Sequence, residues 1–172
     1  MIQMQGLRPL SAESVKERID AAYEHSCLSA VEQAMLHRSH VFETGEANYR
    51  AGQCCFFLPE SMLLNSSSGI NPLLNTWGGE AIKRSSRAAA LPARLSELGR
   101  PAVVVAHLDL SPGQTIHPVF PDIQKVFTAR LLNLENIAAD VFYRGPVPSH
   151  HITAIWQPGD AEYDQFEELP SC

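Results

Sequence analysis

The chain is 172 residues long, 45% hydrophobic and 19% charged, which is enough length and apolar content for one domain closed around a single core. A formal charge of −6 and a pI near 5.6 argue against a broad electrostatic footprint for nucleic acid, which rests on clustered Lys and Arg. No apolar run approaches the roughly 20 residues that span a bilayer, and the N-terminus lacks the basic-then-apolar layout of a secretory signal, so a cytoplasmic protein without membrane contact is expected.

Ser11 precedes Ala12 to Tyr23, where Val15, Ile19, Ala22 and Tyr23 recur at helical spacing behind an N-cap residue. A second helical start, Ser29-Ala30-Val31-Glu32, has the spacing of a capping box. It feeds into Leu36-His37-Arg38-Ser39-His40-Val41-Phe42, which reads as the first strand. A polar run framed by Met35-Leu36 and Val41-Phe42 is either a solvated edge protected by charge or the wall of a site. Thr44-Gly45-Glu46 then reads as a turn.

Gln53 to Leu58 is a short apolar run closed by Pro59, expected as a buried central strand with Cys54 and Cys55 as small packed residues. The four cysteines, Cys27, Cys54, Cys55 and Cys172, show no CxxC spacing, so neither disulfides nor structural zinc are supported. Asn65 to Pro72 is a cluster of turn formers and predicts a long loop. Residues 83–98 predict a helix kinked or broken at Pro92 and stopped by Gly99, with Lys83, Arg84, Arg87 and Arg94 on its solvated side.

Pro101 to Leu110 is the clearest strand, placing Ala102, Val104, Ala106, Leu108 and Leu110 on one face and His107 and Asp109 on the other. A turn at Ser111-Pro112-Gly113 ends it, and Asp122 can cap a helix through Leu132. Ala139 to Arg144 and His151 to Trp156 predict two last strands joined by Gly145 to Ser149, before an acidic, peripheral tail from Asp160 to Glu168. The fold class is therefore α+β in one domain: a helical segment over 1–35, a mixed and largely antiparallel sheet of about five or six strands over 36–158, and a tail over 159–172.

The segment from Asp140 to Trp156, an acidic strand opening followed by a Pro-containing turn and an Ile-x-x-Ile strand, resembles the last strand pair of ADP-ribosyltransferase-fold proteins. His37-Arg38-Ser39 is similar to the first-strand His or Arg of that superfamily, which contacts the nicotinamide-ribose side of NAD. Asn75-Thr-Trp-Gly-Gly-Glu-Ala-Ile, followed by a helix and Val103 to Leu110, resembles RES-type toxins of the same superfamily.

The resemblance implies a split sheet, NAD as substrate, and a bacterial toxin or effector that moves ADP-ribose to a protein, metabolite or nucleic-acid acceptor. It also implies a neutralising antitoxin or immunity protein as a partner. Asp140 aligns where the superfamily usually places Glu, so Asp140, Glu80 and Glu135 are the candidate acids. Cleavage of the nicotinamide-ribose bond develops positive charge on the sugar, which a carboxylate stabilises. Arg38 would hold the pyrophosphate or a ribose, His37 with Ser39 beside it a ribose hydroxyl, and Trp77, Tyr49 or Tyr143 would stack on nicotinamide.

Each residue also has a plain structural reading. Trp77 suits a core anchor, Glu80 an acid at a helix N-terminus, and Asp140 a strand-start residue. Two other function classes stay open. One is a metal-dependent hydrolase using His37, His40, His107, Asp109, His150 and His151, though no ligand spacing such as HExxH occurs. The other is a catalytically silent binding module that keeps the fold without the chemistry.

Overall fold

Two serines set the first two long helices. Ser11 accepts from the Ser14 amide while Ser14 Oγ accepts from the Ser11 amide, both at 3.0 Å, and this capping box opens helix α2, Ala12–Glu24. Ser29 and Glu32 make the same reciprocal pair ahead of α3, Ala30–Ser39. The computed structural model describes residues 2–45, 50–58, 77–78, 80–83, 95, 98–111, 113–116, 119–134, 137 and 139–165. Its elements are α1 (Ile2–Gln5), α2, α3, α4 (Val41–Thr44), β1 (Gln53–Leu58), α5 (Glu80–Lys83), β2 (Val103–Ala106), α6 (Phe120–Leu131), β3 (Ala139–Arg144), β4 (Ile152–Trp156) and α7 (Ala161–Asp164). The fold class is α+β, with helices first and antiparallel strands after them.

The chain forms two compact units, one of Met1–Pro9, Gly52–Ile70 and Val103–Cys172, the other of Leu10–Ala51 and Asn71–Ala102. The second, helical unit buries Val15, Ile19 and Ala22 from α2 with Leu28, Leu36, Val41, Ala81, Ile82 and Leu95 in a single cluster. Val15, Ile19 and Ala22 share one face of α2 through their four-then-three spacing, so one stripe of that helix supplies the core.

The segment 36–42, expected as a strand, is instead the last turns of α3 and the start of α4. Ala30, Glu32, Gln33, Ala34, Met35, Leu36 and Arg38 are strong helix formers behind a fixed cap. Gln33 and His37, one turn apart, both donate to Asp20 Oδ1 at 2.7 Å, which only helical spacing permits. The chain leaves α3 through His40 in an extended conformation (ψ 156°) and leaves α4 through Gly45 in the left-handed region.

The first, strand unit holds two antiparallel pairs. β1 pairs with β3 from Gln53↔Arg144 to Leu58↔Ala139, and β2 pairs with β4 from Val103↔Trp156, with a register shift between Val105 and Ala106. The two last strands therefore do not pair with each other, as the resemblance implied, but lie in different sheets. On its other side β3 is joined by residues 114–116: the Ile116 amide donates to Phe142 at 3.0 Å and the Arg144 amide to Gln114 at 2.7 Å. β3 alternates strictly, with Ala139, Val141 and Tyr143 buried and Asp140 and Arg144 exposed.

β1 is not the expected central strand. Among the described residues it has one partner strand, and Cys55, Phe57 and Leu58 are exposed while Cys54 is buried. A short, wholly apolar run does not reveal which of its faces is covered. β2 is shorter than the 101–110 stretch suggested, because Asp109 accepts from both the Ser111 amide (2.9 Å) and the Ser111 hydroxyl (3.2 Å) and turns the chain. Ala106 and Leu108 do pack on the small core of Cys54, Tyr143 and Val147, with His107 and Asp109 exposed.

Helix α6 begins at Phe120 behind Val119, two residues ahead of the expected Asp122 cap, with Pro121 in its first turn. The tail is not wholly peripheral, since Tyr163 on α7 is fully buried. The N-terminal strap is tied in by Leu7 and Val147, which exchange backbone hydrogen bonds at 2.9 Å. Gly6 makes this close approach feasible: its φ is +76°, and a Cβ there would stand 2.1 Å from the Val147 carbonyl oxygen. The expected loop at 65–72, Gly79, and residues 84–94 and 96–97 of the expected 83–98 helix lie outside the described residues. No helix among the described residues is long and apolar enough to cross a membrane.

Candidate functional site

In the helical unit the candidate residues gather at the C-terminal end of α3. His37 Nε2 donates to Asp20 Oδ1, and this bond, ahead of the one from Gln33, holds the Asp20 carboxyl below its ordinary pKa. Arg38, next along the helix, is exposed. His37 and Arg38 both occupy the last turn, where positive charge complements the helix dipole.

Ser39 and His40 face inward. Ser39 Oγ and both ring nitrogens of His40 are buried with no hydrogen-bond partner among the described residues. The nearest charge is Glu43 Oε1, 3.8 Å from His40 Nε2 and itself 2.5 Å from Lys16 Nζ. Burial pushes the His40 pKa down, Glu43 opposes the shift, and Lys16 and His37 add to it. The Lys16 hydrogen bond lowers the Glu43 carboxyl. His40 is thus a neutral core imidazole, which is why polarity at 37–40 was ambiguous: two of the four groups point out and two point in.

Trp77 is half-buried against the helical core, beside Gly78 at φ +78°. Glu80 opens α5, the position the helix dipole favours for an acid. Tyr49 and Glu135 lie outside the described residues. Tyr143, the other candidate stacking ring, is buried in the small core of the strand unit.

Asp140 belongs to the strand unit, apart in the chain's organisation from the unit that carries His37, Arg38, Ser39, Trp77 and Glu80. Its side chain is exposed on β3 directly opposite Phe57 of β1. Residues opposite in an antiparallel ladder share a face, so Asp140, Phe57, Cys55, Phe142 and Arg144 stand on one side of the ribbon, and Val141, Tyr143, Cys54 and Phe56 on the other. Phe57 is 43% exposed, a large apolar ring in water beside a carboxylate. Arg144, exposed at the far end of that face, donates from Nε to the Thr115 carbonyl at 3.4 Å. Phe57 was not among the sequence candidates. The signal was the register of Gln53 to Leu58 against 139–144, which no single-strand reading contains.

Cys54 contrasts with its neighbour. Burial, with a smaller push from Cys55, raises its thiol pKa to about 11, which makes it an inert packing residue. Among the described residues no three His, Cys, Asp or Glu side chains are grouped as a metal ion would need. His150 and His151 are stacked edge to face at 4.5 Å, and the His107 amide donates to the His151 carbonyl at 2.8 Å, so these histidines meet through rings and backbone. No protein-family model, curated protein or solved structure matches this chain.

Proposed function

We propose that the protein is an NAD-consuming ADP-ribosyltransferase of toxin or effector type, with Asp140 as its acid. The observation that carries the reading is the solvated face of the β1–β3 ribbon, where Asp140 stands opposite the exposed ring of Phe57. In this reading Asp140 stabilises the cationic ribose as nicotinamide leaves, and Phe57, in place of Trp77, offers nicotinamide a flat surface. Arg144, on the same face, supplies the guanidinium for the pyrophosphate. Glu80 remains the alternative acid, in the helical unit that also carries the exposed Arg38.

The test is incubation with NAD labelled in the nicotinamide ring, followed by release of label with and without cell lysate as acceptor source. Asp140→Asn is expected to lower release by about 100-fold or more, and Phe57→Ala to raise KM more than it lowers kcat. Retained activity in Asp140→Asn with loss in Glu80→Gln would move the acid to Glu80. No release by the unaltered protein, with no NAD-dependent rise in melting temperature, rejects the enzyme.

A second reading, a silent binding module of the same fold, is favoured by one specific observation. His37, the residue the resemblance assigns to NAD, is already bonded to Asp20, and Trp77 packs on the core. That reading expects no turnover and no change in NAD binding for Arg38→Ala.

A further inference from the structure

We draw no further inference here: the strongest candidate, the exposed apolar stripe that Phe120, Phe127 and Leu131 lay along helix α6, carries nothing because nothing in the structure shows what covers it.

Discussion

In the helical unit Ile19 and Leu36 are fully buried, and so is the imidazole of His40, whereas in the strand unit Phe57, Phe120, Phe127 and Leu131 stand in water. Among the described residues the helical unit gathers nine buried apolar residues into one cluster and leaves polar atoms of Ser39 and His40 without a partner. Among the described residues the strand unit buries ten apolar residues, of which Cys54, Tyr143 and Val147 form one cluster, and it leaves large apolar side chains outside. A buried polar group without a partner costs stability and an exposed apolar patch costs solubility. Each cost marks a place where packing alone does not account for the residue. The polar groups of the helical unit are employed internally, His37 on Asp20 and Glu43 on Lys16. Those of the strand unit, Asp140 above all, share a solvated face with the exposed ring of Phe57, which is why the proposed chemistry falls in the strand unit.

The largest expected effect sharpens that contrast with one residue type. Leu36→Ala removes a fully buried side chain from the helical core and is expected to cost about 3 kcal/mol. Leu131→Ala, on the open face of α6, is expected to cost less than about 0.5 kcal/mol in dilute solution. Urea unfolding of the two variants under identical conditions checks this, and equal costs would mean that α6 is covered within one chain.

Next in size is a pair of glycines, both in the left-handed region. An added Cβ at Gly6 meets the Val147 carbonyl oxygen at 2.1 Å, backbone against backbone, while at Gly78 it meets Ile82 Cγ1 at 2.3 Å and Cβ at 3.0 Å, the stem of a buried side chain. Gly6→Ala is expected to cost about 2 kcal/mol or more, because the Leu7–Val147 bridge must open. Gly78→Ala is expected to cost somewhat less, about 1.5 kcal/mol, from the left-handed backbone and from the shift it forces on Ile82 within the core. Thermal unfolding ranks them, and a larger loss at Gly78 would show that the helical core is the less yielding of the two.

Much of this organisation was legible in local chemistry. The Ser11 cap, the Ser29 capping box, the face of α2 and the spans of β1, β3 and β4 follow from hydroxyl placement and periodicity. The strand expected at 36–42 was misplaced because seven residues with apolar ends fit either period, while the decisive facts, the Ser29 cap and the Asp20 acceptor, lie upstream. The pairing of β3 with β1 rather than β4 depends on contacts far apart in sequence, so the Asp140–Phe57 face was not readable from either strand. The open face of α6 was readable as apolar spacing but not as exposed, because periodicity shows that a helix has an apolar stripe and not what covers it.

The smallest expected effect tests whether His40 is a liability of the helical unit. Burial lowers its pKa from the ordinary 6.5, so between the folded and unfolded values the unfolded chain binds more protons, and stability rises with pH through that window. The contribution is therefore whole above pH 6.5 and is lost as pH falls below it. Asp20 and Glu43, held below 3.8 and 4.5 respectively, add stability that is present above those values and lost as pH falls through their lowered pKa values. Their window lies under that of His40, and melts between pH 5 and 7 separate the two. His40→Leu removes two unpartnered nitrogens from the core and is expected to raise stability by about 1 kcal/mol near pH 6, with a flatter dependence from pH 7 down to 5. The increment should shrink at pH 8, where the imidazole is neutral in both states and only its unmet hydrogen bonds remain. A variant that is less stable than the parent at both pH values, with the same slope, would instead give His40 a partner that it lacks among the described residues.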